Sequence, residues 1–238
     1  MAVAADRNGL ELFFSTENIE KLQDIMYPMT AIAGTHLFWE GDIAGKLYYI
    51  RSGRVKLRKS TEKGKEFILS LMEKGDLAGE YGGNGGLFHS FSAEVFEDAD
   101  VGVIQIKDLE VLLYQHGELA VEFMNWLGLM NRRTQSKLRD LMLFGKPGAL
   151  ASTLIRLSNS YGTTCADGTR LTIKLTNTDI ADFIGTARES VNRMLNAWKE
   201  EGTIGMENGQ IVIQRIDELR RICNCPSSPS CPSEICRI

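Results

Sequence analysis

Four of the five cysteines fall in the last sixteen residues, as Cys223-Asn-Cys225-Pro-Ser-Ser-Pro-Ser-Cys231-Pro-Ser-Glu-Ile-Cys236. Thiolates are soft ligands and the intervening prolines favour loops, so the run suits a metal or iron–sulfur centre. Four thiols would equally close a zinc site. Structural disulfides fit poorly, because nothing points to an oxidising compartment. No apolar run approaches the ~18 residues of a membrane span, and the first fifteen residues lack the charged-then-apolar order of a signal peptide. The chain is therefore expected to be cytoplasmic, with no membrane partner. Cys165, apart from the others, reads as structural.

A second chemistry lies in residues 176 to 201, TNTDIADFIGTARESVNRMLNAWKEE. The first of two short helices starts at Thr176, keeps Ile180, Phe183 and Ile184 on one face and stops at Gly185. Thr186 is expected to cap the second, with Glu189 at capping-box spacing, and Val191, Met194, Leu195 and Trp198 form its apolar stripe. Arg188, Glu189, Ser190, Asn192 and Arg193 lie off that stripe. Arg and Glu near the start of a helix are the groups that pair with guanine O6/N7 and cytosine N4 in a major groove. A solvated face on an ordinary amphipathic helix is the alternative.

The elements around this pair sharpen the reading. Ile204 to Ile213 is two apolar runs about Asn208-Gly209, a hairpin that would serve as a wing. Upstream, Leu150, Leu154, Leu157 and Tyr161 form the core face of a leading helix, and Asp167-Gly168 is expected to turn a first hairpin. The net charge is −4, and residues 150 to 221 carry nine Lys/Arg against nine Asp/Glu, so any DNA-facing basic surface must be local. Residues 28 to 107 instead alternate with period two. Leu47–Ile50, Val55–Leu57, Phe67–Leu71, Ala93–Phe96 and Val101–Ile106 read as strands, with turns at Gly41-Asp42, Ser52-Gly53, Lys63-Gly64 and Lys74-Gly75-Asp76. Many short strands so spaced suggest a double-sheet roll. The Gly-rich run Gly79 to Gly86 lacks the Lys-Ser/Thr of a phosphate loop and reads as a plain loop. His36 and His89 are the roll's only histidines, without a partner at metal-ligand spacing or a Ser/His/Asp arrangement, so an enzyme is not expected.

Between roll and winged helix runs one helical pattern, Glu118 to Phe144, bounded by Gly117 and Gly145-Lys-Pro-Gly148. Phe123, Leu127, Met130, Thr134, Leu138 and Leu141 step by 4, 3, 4, 4 and 3. Near-heptad spacing reads either as the seam of a two-fold dimer or as a face packed on the chain's own roll; the dimer is the expectation. A palindromic operator needs two recognition helices about 34 Å apart, which such a dimer supplies.

The order of roll, long helix and winged helix resembles the bacterial cAMP-receptor/FNR family of transcription regulators along nearly the whole chain. The resemblance rests on Gly53 after Leu47–Ile50, on Gly75-Asp-Leu-Ala-Gly-Glu80, and above all on Leu175 to Arg193 with its Arg188, Glu189 and Arg193. It implies double-stranded DNA with a TGTGA-type half-site, Arg188 carrying the outer base, and RNA polymerase as a partner. Members that bind cyclic nucleotide carry an Arg-Ser pair for the phosphate where this chain reads Leu87-Phe-His-Ser-Phe-Ser-Ala93, so no cyclic nucleotide is expected. The tail Cys-Pro-x-Glu-Ile-Cys is similar to that of Bacillus-type FNR regulators. The resemblance implies one [4Fe–4S] cluster per subunit, held by three tail cysteines and an aspartate of the long helix. Cys231 and Cys236 match two ligands, Asp140 matches the aspartate, and Cys225 is preferred to Cys223 as the third thiolate.

These readings add up to an α+β chain: a β-roll similar to a cyclic-nucleotide-binding jelly roll over 1–107, a dimerisation helix region over 108–146, a winged helix-turn-helix over 147–221 and a cysteine-rich tail over 222–238. The expected activity is an oxygen-responsive regulator of anaerobic metabolism, with a zinc- or thiol-based regulator of the same fold as the alternative.

Overall fold

A computed structural model describes residues 9–62, 64–82, 87–226, 231–232 and 234–238. The chain forms two compact units, Met1–Gly128 and Leu129–Ile238. The first opens with α1 (Thr16–Asp24), capped by Ser15, whose hydroxyl accepts from the Asn18 N–H. Then follow β1 (Met26–Ala31), β2 (His36–Phe38), β3 (Lys46–Ser60), β4 (Glu66–Met72), β5 (Leu77–Ala78), β6 (Ser92–Gln105) and α2 (Ile106–Gln115). All strand pairs of this sheet are antiparallel, in the order β1-β6-β3-β4, with β2 on β6 and β5 on β3. The sheet wraps a core that includes Phe38, Tyr48, Ile50, Val55, Val95 and Val101.

The strands expected as separate pieces run together. Leu47–Ile50 and Val55–Leu57 belong to β3, and Ala93–Phe96 and Val101–Ile104 to β6. The turn expected at Ser52-Gly53 is instead a run of register shifts between Ile50 and Val55 against β6. Gly53 takes φ 79° there, and a Cβ on it would stand 2.2 Å from the Asp98 carbonyl oxygen. Only glycine meets both demands, so it marks a bulge that bends a long strand without ending it. The Lys63 half of the turn at Lys63-Gly64 and the end of the Gly-rich run, Gly83 to Gly86, lie outside the described residues.

α3 (Gly117–Tyr161) is two helices divided at Gly145, whose φ of 59° and ψ of −160° are non-helical. Pro147 follows, in the first turn of the second segment, where its missing N–H interrupts no helical bond. The stripe expected to face a partner is not uniform. Phe123 is 2 % exposed and meets the Tyr81 ring edge-on at 5.3 Å, so it fills the interior of the first unit and cannot lie on a free seam. Leu127, Met130 and Leu141 are half-buried and Leu138 is 58 % exposed. The five steps cover 18 residues, 3.6 each, so the stripe keeps to one face of a straight helix, and the difference in burial comes from what packs on each stretch of that face.

Leu150, Leu154, Leu157 and Tyr161, on the second segment of α3, are all buried as their spacing predicts. The second unit continues through β7 (Gly162–Cys165), β8 (Gly168–Leu171), α4 (Asn177–Phe183), α5 (Arg188–Glu200), β9 (Ile204–Glu207), β10 (Gln210–Ile213) and α6 (Ile216–Ile222), its sheet ordered β7-β8-β10-β9. Cys165 pairs with Gly168, so the first hairpin turns on Ala166-Asp167 and Gly168 already belongs to β8, one residue from the expected position. The second turns on Asn208-Gly209, both at positive φ (51° and 77°), as a tight hairpin requires. No helix among the described residues is long and apolar enough to cross a membrane.

Candidate functional site

α4 and α5 form the expected helix-turn-helix. Thr176 caps α4 with a full capping box, its hydroxyl accepting from the Asp179 N–H while the Asp179 carboxylate accepts from the Thr176 N–H. Two otherwise orphaned donors are satisfied at once. Thr176→Ala is expected to destabilise the chain by about 1 kcal/mol, read as a lower urea midpoint at unchanged slope. The cap expected at Thr186 does not form. Gly185, at φ 60°, turns the chain one residue earlier, the Thr186 N–H bonds to the Ala181 carbonyl at 3.0 Å, and Ala187 occupies the N-cap of α5 without a side-chain bond. The buried Thr186 hydroxyl finds no partner among the described residues.

Val191, Leu195 and Trp198 bury one face of α5. Each such side chain contributes roughly 1.5–3 kcal/mol when fully buried, which fixes the helix and leaves its other face free. On that face Arg188, Glu189, Asn192 and Arg193 are exposed and Ser190 is half-buried. Asn192 accepts from the Asn177 amide at 3.2 Å, tying the start of α4 to the middle of α5. Arg188, Glu189 and Arg193 make no bond to any described residue, so their full donor and acceptor capacity is open to a ligand.

The second site is built where the tail returns to α3. α6 ends at Cys223, Asn224 takes φ 45°, and the Cys225 N–H bonds back to the Arg220 carbonyl at 2.8 Å. This left-handed turn separates the two neighbouring cysteines. Cys223 is 3 % exposed, its thiol directed to the Arg220 carbonyl at 3.7 Å, and burial pushes it up to about 11. Cys225, Cys231 and Cys236 instead line one pocket of about 610 Å³, together with Ile155, Asp217 and Arg220 among others.

The end of the chain is clasped by side chains of α3. The Arg133 Nε donates to the Glu234 carbonyl at 2.7 Å, the Arg156 Nη1 to that of Ile235 at 2.9 Å, and the Asn159 amide to that of Cys236 at 2.7 Å. Ile235 and Ile238 bury their side chains there. Burial raises the thiols of Cys225 and Cys236; Arg220 and Arg139 draw the first back down, and Arg156 the second.

Asp140 is buried in a polar collar. Its Oδ1 accepts from Arg139 Nε at 2.9 Å and Nη2 at 2.5 Å, and its Oδ2 from Ser152 Oγ at 2.5 Å and Arg156 Nη2 at 2.9 Å. It does not line the pocket, although its charge bears on Cys223, Cys225 and Cys236. Among the described residues no three His, Cys, Asp or Glu side chains converge tightly enough for one metal ion. The thiols span a pocket; they do not meet at a point. Arg133, Arg156 and Asn159, which hold the tail, went unread in the sequence: they sit 77 to 101 residues from their partners, and only Arg156, polar beside the apolar stripe of its helix, carried any local signal.

Comparison with known proteins bears on both sites. Residues 148–222 match the Crp-like helix-turn-helix domain and residues 30–116 the cyclic nucleotide-binding domain. The chain is 44 % identical over 230 residues to the "Anaerobic regulatory protein" of Bacillus subtilis (strain 168), covering 94 % of each chain. It is 28 % identical to a "CRP-like cAMP-activated global transcriptional regulator" of Mycobacterium tuberculosis, over 85 % of this chain and 88 % of that one. A CooA mutant from Carboxydothermus hydrogenoformans shares the fold, with a TM-score of 0.75 at 19 % identity, over 92 % of this chain and 97 % of that one.

Proposed function

This chain belongs to the CRP/FNR family of DNA-binding transcription regulators, and on that premise we propose that it is a homodimeric, oxygen-responsive member acting in the cytoplasm on genes of anaerobic metabolism. The observation that carries the reading is the gathering of Cys225, Cys231 and Cys236 on one pocket, with Asp140 buried on α3 and its charge bearing on Cys225 and Cys236. Three soft thiols and a carboxylate form a donor set suited to a [4Fe–4S] cluster with one weak ligand. Those four residues would hold the cluster, which supplies a link that oxygen can break.

The rest is done by the chain itself. The tail contributes Cys225, Cys231 and Cys236 to the pocket, and Arg133, Arg156 and Asn159 hold its backbone against α3. Asp140 and Ser136 precede the break at Gly145, whereas Ser152 and Arg156 follow it, so ordering of the tail bears on the angle between the two segments. A switch needs two arrangements of different stability, and metal-linked ordering supplies the difference. Arg188, Glu189 and Arg193 then read a TGTGA-type half-site, Ser190 and Asn192 supporting them, and the dimer presents two such helices to a palindrome. RNA polymerase is the further partner this role requires.

The roll serves as scaffold, without cyclic nucleotide. Leu87 to Ala93 offers no arginine to a phosphate, and the Glu80 carboxylate accepts from the Ser90 N–H at 2.6 Å and hydroxyl at 2.5 Å. The test is anaerobic purification with a visible spectrum and iron and sulfide analysis; stoichiometric zinc without sulfide would replace this reading with the zinc alternative.

The dimer seam is assigned to Leu127, Met130, Leu138 and Leu141, without Phe123. Leu138→Glu is expected to weaken the dimer and operator affinity together, because a charge would face apolar partner side chains without a counter-ion. The monomer should keep its fold, since Leu138 is exposed in the single chain. An unchanged sedimentation coefficient for Leu138→Glu and Leu127→Glu would remove the seam from this face.

A further inference from the structure

Asp140 is met by two arginines that differ in freedom. The Arg156 side chain is 4 % exposed and spends its donors on Asp140 Oδ2, Ser136 Oγ at 2.9 Å, Ser152 Oγ at 3.2 Å and the Ile235 carbonyl. Withdrawing it would orphan several buried acceptors at once. The Arg139 side chain is 41 % exposed, and its only hydrogen bonds among the described residues are to Asp140 Oδ1. Withdrawing it into water orphans nothing but that oxygen. The charge of Arg139 is favoured chiefly by the bonds to Asp140, then by Cys231 and Cys225.

We propose that Arg139 is a displaceable place-holder on Asp140 Oδ1, the oxygen that could be freed for a metal, while Arg156 is the fixed anchor of Oδ2. The inference rests on the thiol-pocket reading above. In the exchange Oδ1 would give up the two N–H donors of Arg139 to become available as a ligand, and Arg139 would keep its proton and move to solvent. Oδ2 would keep Ser152 and Arg156, so the carboxylate would stay aligned and able to take Arg139 back. Arg139 thus competes with the metal for the one hard ligand of the site, and it lowers the stability of the loaded form.

The two arginines should therefore have opposite effects, which a purely structural role for both would not produce. Cobalt(II) is titrated into reduced, metal-free full-length protein, and the half-life of the anaerobically reconstituted cluster in air-saturated buffer is followed by its visible absorbance. Arg139→Ala is expected to bind cobalt about tenfold more tightly and to lengthen the half-life, since a half-exposed ion pair competes less than a buried one. Arg156→Gln is expected to weaken binding and shorten the half-life, with partial rescue by Arg156→Lys, which also covers the case in which Arg156→Gln fails to fold. In an Asp140→Asn background Arg139→Ala should change neither quantity. Weaker or unchanged cobalt binding by Arg139→Ala, or the same gain in the Asp140→Asn background, overturns the proposal. A wild-type protein that takes up neither cobalt nor cluster refutes the thiol-pocket reading itself and this inference with it.

Discussion

Protein purified without oxygen is expected to carry one four-iron cluster per chain, and Cys225→Ser, Cys231→Ser and Cys236→Ser each to lose most of it while remaining folded. The three thiols line one pocket, and a serine there offers a hard oxygen to a metal centre that prefers soft sulfur. Cys223→Ser should retain the cluster, because that thiol is buried away from the pocket. Two acids are candidates for the fourth ligand of the proposed cluster. Asp140 is buried and its charge bears on Cys225 and Cys236, and Asp217 lines the pocket but is 89 % exposed and paired with Arg220 at 3.0 Å. Asp140→Ala should shorten the cluster's life in air, and Asp217→Ala should leave it unchanged; the reverse result would move the ligand to α6. Burial raises Cys225 and Cys236, so both thiols are protonated in the metal-free protein at neutral pH. Each must release a proton to ligate, and the affinity for cobalt should climb as pH rises toward their titration.

Arg188→Ala and Arg193→Ala should each relax the choice of base at one guanine of the half-site, at a cost of roughly 1–3 kcal/mol for each bidentate pairing removed. Both side chains are exposed on α5 and unspent on any described neighbour, so their removal takes nothing from the fold. Glu189→Ala should relax a cytosine in the same way. Lys199→Ala, exposed in the last turn of the same helix, should lower affinity evenly across sequences if it meets phosphate. Selection of binding sites from a randomised pool distinguishes these outcomes. Variants at 188 and 193 that select the same sequence as the unmodified protein would remove direct readout.

The residues proposed to carry chemistry can be picked out one by one in the sequence. Arg188, Glu189 and Arg193 announce themselves because helical period and a glycine stop are local properties, set within four or five residues of each position. The same holds for the Asn208-Gly209 hairpin and for the buried face at Leu150, Leu154 and Leu157. Local rules also failed locally. Ser52-Gly53 and Asp167-Gly168 read as turns, yet glycine at positive φ serves a bulge and a strand start equally well, and only the pairing across the sheet decides which. α1, α2 and α6 are not among the elements anticipated from the sequence.

Tertiary structure decided what periodicity leaves open. Cys223 and Cys225 are equivalent as letters, and the left-handed turn at Asn224 sends one inward and the other to the pocket. Phe123 shares a stripe with Leu138, but Tyr81 takes it into the interior. The arginine collar of Asp140 and the clasp on the tail join residues far apart in the chain, where no spacing rule operates. Sequence alone determined which side chains this protein has to work with, because residue type and near-neighbour pattern set local conformation. Which of them meet was decided by burial and by the need of each buried charge and carbonyl to find a partner, and those demands are met only when the whole chain has closed.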